Sequence, residues 1–454
     1  MGRVEKGTDR RRRPASIWQV SIAAIISWLF ISPFPYPRSP SFVRTYAANI
    51  DSAVVSTSTP EGRLAVFDDV WQTVNDRYYD ANFHGVDWWA QRAQFRTLAA
   101  DARNPAELYT ILRRLVTSLR DAHTRVYTPE EKFDWQHPRF LTIGLSLREI
   151  QGQLTVVAVE RGSDAEQSGI RTGDVVAKIN GEPALSRLEQ KLREQSGSST
   201  PQAARLFALA SLTDGPPETP VAVEWIGADN KLRQTSLARH WQQRSLGLRI
   251  THNRGIAVVT IDAFTHTLAV EFARATNDTL RQARAIVLDL RTNGGGDAQA
   301  MAEIASAFLP AATALGQFTD RHGNVSLKIE TGALPPFSVH QNKPIQVPVV
   351  ILASERTSSA AEIFIAALKP TGRASVLGGE TCGCVLAVRA RHTLPDDGEL
   401  EVSELDYHTA RGDRLEGTGI KPDELISVTR RDLYSGRDRV LESALLKLKG
   451  HPRP

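Results

Sequence analysis

Three short, largely apolar runs, Ile256 to Ile261, Ala285 to Leu290 and Val347 to Leu352, are the feature that most narrows what this chain can fold into. Runs of this kind suit strands buried on both faces of an α/β sheet, and the segments between them carry apolar residues at helical spacing. The chain has 454 residues, 41% of them apolar, which exceeds one hydrophobic core and fills two or three.

Upstream of this α/β part, residues 63–137 place Ala65, Phe67, Val70, Trp71 and Val74 at helical spacing and predict a helical domain. Residues 138–240 change character. Short strands such as Leu154 to Val159 and Val221 to Trp225 are punctuated by Gly173-Asp174 and Asn180-Gly181 turns, as expected of a small β module. The α/β part spans 245–454, and no internal repeat is apparent.

The first 48 residues read as an export signal or membrane anchor, followed by a Ser/Thr-rich linker over 49–62. A basic start ending in Arg10, Arg11, Arg12 and Arg13 precedes an uncharged apolar stretch from Ile17 to Ile31 and then a Pro-rich segment. That stretch is long for a cleaved signal and short for a full span of about 20 residues, so cleavage near Thr45, Ala47 and Ala48 and retention as an anchor both remain open. The leader also accounts for the charge. It carries eight Lys or Arg against two acids, so the overall +4 leaves −2 for everything after it. No phosphate-binding surface is implied, and nucleic acid is not an expected partner.

The two cysteines, Cys382 and Cys384, cannot frame a disulfide scaffold, and no histidine motif beside them suggests a zinc cluster. The Cys382-Gly383-Cys384 run admits three readings: two unpaired small residues, an easily reduced disulfide across one residue, or half of an intermolecular metal site.

Within the β module, Ile143-Gly144-Leu145-Ser146-Leu147, Arg161 to Ile170, Gly173-Asp174-Val175-Val176 and Ile179-Asn180-Gly181 follow one another in a pattern that resembles a PDZ domain over about 100 residues. The resemblance implies that backbone N–H groups around Gly144 receive a free carboxylate while the following strand offers its edge to an extended peptide. Ile143, Gly144, Leu145, Ser146 and Leu147 are the candidate peptide-binding residues, and the two leucines favour an apolar terminal residue.

Three later segments are Leu288 to Gly296, Thr357 to Phe364, and Gly372-Arg373-Ala374 with Gly378 to Thr381; together they are similar to the core of carboxyl-terminal processing proteases, the S41 peptidases, and their tricorn-like relatives. The resemblance implies a multidomain α/β fold: an N-terminal helical domain, a PDZ β module and a ClpP- and crotonase-like serine protease core. Matched to the family motif, Ser359 is the nucleophile, and the amides of Ala360 and Gly295 are the oxyanion donors. A helix N-terminus beside the serine receives negative charge, and a glycine lets backbone approach a substrate carbonyl. On local sequence alone, Ser358 or Ser359 equally reads as a helix cap.

Most family members carry a lysine about 25 residues after the serine, whereas here that position is Cys384. A neutral thiol is a poor proton acceptor, and a thiolate adds charge beside a developing oxyanion. One repair lies upstream, where Leu119-Arg120-Asp121-Ala122-His123-Thr124-Arg125 resembles the Asp-x-His-Thr segment of the tricorn-like branch. That likeness implies His123 as general base and, within Leu415 to Asp423, Glu416 as the acid of the same relay.

Together these resemblances imply an exported serine endopeptidase acting on polypeptides with free, apolar C-termini through an acyl-enzyme. No metal or organic cofactor is implied. Two alternatives stand beside it: a degenerate protease that only binds peptide termini or scaffolds an assembly, and an enzyme using Cys384 as a thiol nucleophile. Tyr78-Tyr79-Asp80 through Val86-Asp87-Trp88 is similar to photosynthetic members, which points to thylakoid lumen or periplasm, with membrane association through the leader.

Overall fold

The computed structural model describes residues 54–131, 139–195, 198–243, 246–332 and 343–449. The expectations for the leader, including Arg10 to Arg13, Ile17 to Ile31 and the site near Ala47, lie outside the described residues.

Three capped helices open the chain: α1 (Pro60–Arg77), α2 (Trp88–Ala100) and α3 (Pro105–Thr117). Thr59, Asp87 and Asn104 accept from the amides of Gly62, Ala90 and Glu107 at 3.1, 2.9 and 2.9 Å, and Pro60 and Pro105 start their helices where no N–H is needed. Helix α1 thus begins three residues inside the segment expected to be linker. The short strand β1 (Arg125–Tyr127) follows α3.

The β module holds β2 (Arg139–Thr142), β3 (Leu145–Ile150), β4 (Gln153–Val159), β5 (Val175–Ile179), β6 (Glu182–Pro183), β7 (Pro220–Ile226), β8 (Leu232–Ala238) and β9 (His240–Gln243). Its main sheet runs β3-β4-β5-β7-β8, which leaves β3 as an edge strand. It also carries helices α4 (Asp164–Gln167), α5 (Ala184–Glu194) and α6 (Pro201–Ala210), so it is less purely β than its sequence suggests.

The largest core surrounds a six-stranded sheet built from β10 (Leu248–Asn253), β11 (Ile256–Ile261), β12 (Ala285–Asp289), β15 (Val349–Ala353), β16 (Ala374–Gly378) and β20 (Glu424–Leu425), in that order. β11, β12, β15, β16 and β20 pair in parallel, and β10 joins antiparallel at one edge, while β13 (Ala314–Thr319), β14 (Val325–Glu330) and β19 (Asp406–Thr409) form a separate sheet in the order β14-β13-β19. The three apolar runs are therefore central strands. Helices α7 (His266–Asp278), α8 (Ala298–Ala305) and α9 (Ala360–Leu368) cover one face. α11 (Arg439–Lys449) covers the other through Val440, Ala444 and Leu448, as parallel sheets require.

The modules interlock. Hairpin β17 (Arg391–Thr393) and β18 (Glu399–Glu401) pairs with β1, and Leu386, Leu394, Leu400 and Val402 are buried among the aromatic and aliphatic side chains of α1 to α3. The β module is tied to the core on two sides. Arg148 of β3 bonds Glu355 at 2.7 Å, while Tyr434 of α10 (Arg430–Tyr434) lies against Gly173 and donates to Asp174 at 3.2 Å.

Leu400 is wholly buried in a helical core built mostly of side chains from Val66 to Leu119, so truncating it tests this interlock. Leu400→Ala is expected to lower unfolding free energy by about 2–5 kcal/mol. In urea unfolding the helical and sheet regions, followed separately, shift together.

Candidate active site

β15 ends at Ala353, and the chain then climbs through Ser354 to Ser359 before α9 begins. Thr357 fixes this turn: its hydroxyl donates to Leu290 O at 2.8 Å and accepts from Ser354 N at 3.0 Å. Ser358 N donates to Asn293 O at 3.2 Å. Ser359 emerges half-buried with φ 56°, a conformation that costs a non-glycine residue about 1–3 kcal/mol and persists only where its surroundings hold it. Ala360 is the first residue of α9, so its N–H has no intrahelical acceptor.

The loop after β12 lies directly against this serine. A Cβ on Gly295, whose φ is +99°, would sit 2.7 Å from Ser359 Cβ and 3.0 Å from Ala360 N. Only glycine allows the approach. Gly295 N–H donates to the buried Oδ1 of Asn293 at 2.8 Å, so this amide, expected as an oxyanion donor, is engaged inside its own turn, and Asn293 Nδ2 donates to Ile261 O at 3.1 Å. The turn that presents Gly295 is thereby pinned.

Beneath Ser359 lies Glu362, wholly buried one turn into α9. Its carboxyl accepts from Ser359 N at 3.2 Å, Gly383 N at 2.7 Å and Cys384 N at 2.9 Å, and also from the Thr381 hydroxyl. Cys384 O accepts from Ser359 N at 2.8 Å, so the 381–384 segment and the serine are held by one acid. Burial pushes the Glu362 pKa up, against those hydrogen bonds.

Cys382 and Cys384 are joined as a disulfide, which corrects the reading of two unpaired residues and leaves Cys384 no thiol to offer as a nucleophile. Among the described residues no cluster of metal-ligating side chains occurs.

His123 approaches from the loop between α3 and β1. Asp121 shapes that loop: Oδ1 accepts from His123 N and Thr124 N at 2.7 Å each and from the Ser403 hydroxyl at 2.8 Å. Ala122 packs with Ala203, Cys382 and Cys384, which brings the histidine loop against the segment that holds Ser359. The His123 residue is half-buried with Nδ1 sealed and unbonded. Desolvation depresses its pKa to about 4, with Arg125 adding to the fall and Asp121 opposing it.

Glu416 is buried, and its Oε2 accepts from Val385 N at 2.6 Å and Leu386 N at 3.2 Å. Its Oε1 has no bonded partner. Desolvation, together with the Asp121 and Glu362 charges, raises its pKa to about 7. The structure thus gathers Ser359, Gly295 and Ala360 at one point, with the segments carrying His123 and Glu416 against the 382–386 stretch. Ile143 to Leu147 sit apart, at the edge of the β module. Ile143 is buried, Leu145 and Leu147 are half-buried, and Gly144 N–H donates to Thr142 Oγ1 at 3.0 Å.

Glu362, Asp121 and Asn293 escaped the sequence reading. The Ser359-x-x-Glu362 spacing of a helix start was a usable signal for the first. Nothing local signals that Asp121 meets Ser403, 282 residues away.

Residues 255–426 match the model of peptidase family S41, and residues 60–117 match the tricorn protease C1 domain. The chain is 26% identical over 419 residues to a carboxyl-terminal-processing protease of Synechocystis sp., covering 89% of this chain and 90% of that one. It is also 26% identical over 373 residues to the chloroplastic carboxyl-terminal-processing peptidase 3 of Arabidopsis thaliana, covering 78% and 67%. Among solved structures, a photosystem II D1 C-terminal processing protease superposes with TM-score 0.53 at 22% identity, covering 80% of this chain and 93% of that one. Mature CPAF complexed with lactacystin gives 0.66 at 13%, covering 86% and 99%, and shares the helical, β-modular and α/β architecture. The catalytic core with its serine-bearing helix, the tricorn-type helical region and near full-length similarity agree: this chain belongs to peptidase family S41, as a serine peptidase of the carboxyl-terminal processing proteases.

Proposed function

We propose that the protein is an exported serine endopeptidase in which Ser359 attacks the peptide carbonyl, His123 serves as general base and Glu416 supports the imidazolium. The observation that carries this reading is the placement of Ser359. It is held at positive φ on a helix N-terminus, half-exposed, with Gly295 against it and the Ala360 amide outside the helical ladder. Position 384 supplies no amine and, in the disulfide, no thiol, so the base comes from elsewhere. His123 meets the requirement of being uncharged at neutral pH. A base of pKa near 4 is weak; the Asp121 charge already favours its imidazolium, and an ionised Glu416 brought to the ring would strengthen it further.

Substrate reaches the site through the PDZ module. Its open edge strand β3 suits addition of an extended polypeptide, with Leu145 and Leu147 receiving apolar side chains near a free C-terminus. Export through the basic and apolar leader, with a lumenal or periplasmic destination, accords with relatives whose names include chloroplastic peptidases. Membrane association would rest on the leader, because among the described residues no helix is long and apolar enough to cross a membrane.

The test is cleavage of an unstructured peptide with an apolar C-terminus. The parent is expected to cut it, and Ser359→Ala and His123→Ala to lower kcat by at least about 10³-fold at matched folding. A folded parent that binds such peptides and cuts none would instead indicate a peptide-binding scaffold. Gly295→Ala drives a methyl into Ser359 Cβ, and a loss of about 10²-fold or more in kcat is expected, measured on the same peptide.

The ionised form of Glu416 is the working one, so kcat/KM rises as pH climbs through about 7, and Glu416→Gln abolishes that rise together with most of the activity. Stability runs the other way. A carboxyl whose pKa is raised in the fold stabilises it below its unfolded value, and that contribution is lost as pH rises through about 7. Melting temperature therefore falls between pH 5 and 8 in the parent and falls less in Glu416→Gln.

A further inference from the structure

Helix α6 belongs to the β module yet lies on the catalytic segments. Its cap, Thr200, donates its hydroxyl to Cys382 O and accepts from Ala203 N at 3.0 Å. Gln202 donates to Glu380 at 2.6 Å, and fully buried Ala203 packs against Ala122, Cys382 and Cys384. Arg205 pairs with Glu149 of β3, and Phe207 lies under Arg125, 4.6 Å from the ring centroid. The residue before the cap, Ser199, has its backbone carbonyl beside Gly417, next to Glu416.

Three buried polar atoms in these meeting segments have no partner: Ser199 Oγ, His123 Nδ1 and Glu416 Oε1. Orphans of this kind are rare because desolvation goes uncompensated. Their chemistry is complementary. An imidazole Nδ1–H donates, a hydroxyl accepts and donates at once, and a carboxylate only accepts.

We propose that Ser199 is a positioning residue of the catalytic relay, its hydroxyl joining the Glu416 carboxyl to the His123 ring directly or through one water. The inference rests on the roles of Ser359, His123 and Glu416 given above. Bonding at Nδ1 fixes the tautomer that leaves Nε2 free to take the Ser359 proton, and the imidazolium then formed is linked to Glu416 through the hydroxyl. No proton leaves Ser199. The relay is completed by a residue of the PDZ module, so docking of α6 and competence of the site are one event. The Ser199 hydroxyl lies close enough to pull the Glu416 pKa down against burial and the Asp121 and Glu362 charges. The other groups facing Glu416 are Tyr78 and Tyr79, and the nearby Arg414 is engaged with Asp406 and Tyr79.

The experiment follows cleavage of a short peptide amide, which offers the PDZ module no carboxylate, across pH 5 to 9. Ser199→Ala is expected to lower kcat by about 10–100-fold with KM unchanged and to move the midpoint of the pH rise upward, while Ser199→Thr restores both. Ser199→Ala with the parent's kcat and midpoint, beside an inactive His123→Ala, would overturn the role of Ser199 and leave the triad standing. A lowered kcat with no shift in midpoint, or no recovery in Ser199→Thr, would overturn it in favour of a packing role. A parent or His123→Ala that behaves otherwise than proposed would overturn the underlying relay and this inference with it.

Discussion

The buried carboxyl of Glu362 is the point on which the site depends. One fully buried acid holds the amide of Ser359 and the amides of Gly383 and Cys384, so the start of α9 and the 381–384 segment cannot move independently. A buried acid is costly when its lone pairs are unmet, and here four donors meet them. The same bonds consume the N–H of Ser359 and leave that of Ala360 outside any ladder. A helix that in another protein would end in an ordinary cap instead presents an unsatisfied donor beside a hydroxyl.

Everything else is arranged around that pair of segments. The sheet supplies β12 and β15, whose C-terminal ends carry Gly295 and Ser359, the location where open α/β sheets place their chemistry. The helical domain contributes the Asp121 loop, but its own core is finished by Leu394, Leu400 and Val402, which follow Ser359 in the chain. The β module contributes α6. No module holds a complete site. This explains why the borders are so heavily bonded: Tyr109 of α3 donates to Asp396 at 2.9 Å, and Arg148 reaches Glu355 just ahead of the serine turn.

Much of this was legible in the sequence, for identifiable reasons. Strands β11, β12 and β15 are buried on both faces, so their largely apolar runs stand out. Gly295 and Ser359 lie in dense local motifs because a tight backbone approach leaves few residue choices. The illegible part is long-range. The hairpin at 391–401 carries too little apolar pattern to announce that it completes a helical core, and nothing near α6 in the sequence signals that its cap meets Cys382, 182 residues away. Whether two cysteines one residue apart are bonded depends on the loop geometry that Glu362 imposes, which no spacing rule contains.

The absent lysine and the raised pKa of Glu416 are two sides of one electrostatic fact. The Asp121 and Glu362 charges act on Glu416 across a poorly solvated enclosure, and a lysine at position 384 would have placed a fixed cation among them. With a neutral disulfide there instead, the acids have no permanent counter-charge at that position, and the most crowded of them holds its proton up to about pH 7. Histidine suits such a place. It enters neutral, as its own desolvation demands, and in the role proposed for it would become a cation only while it carries the proton of Ser359, so a neighbouring acid would act in the transition state more than in the resting protein.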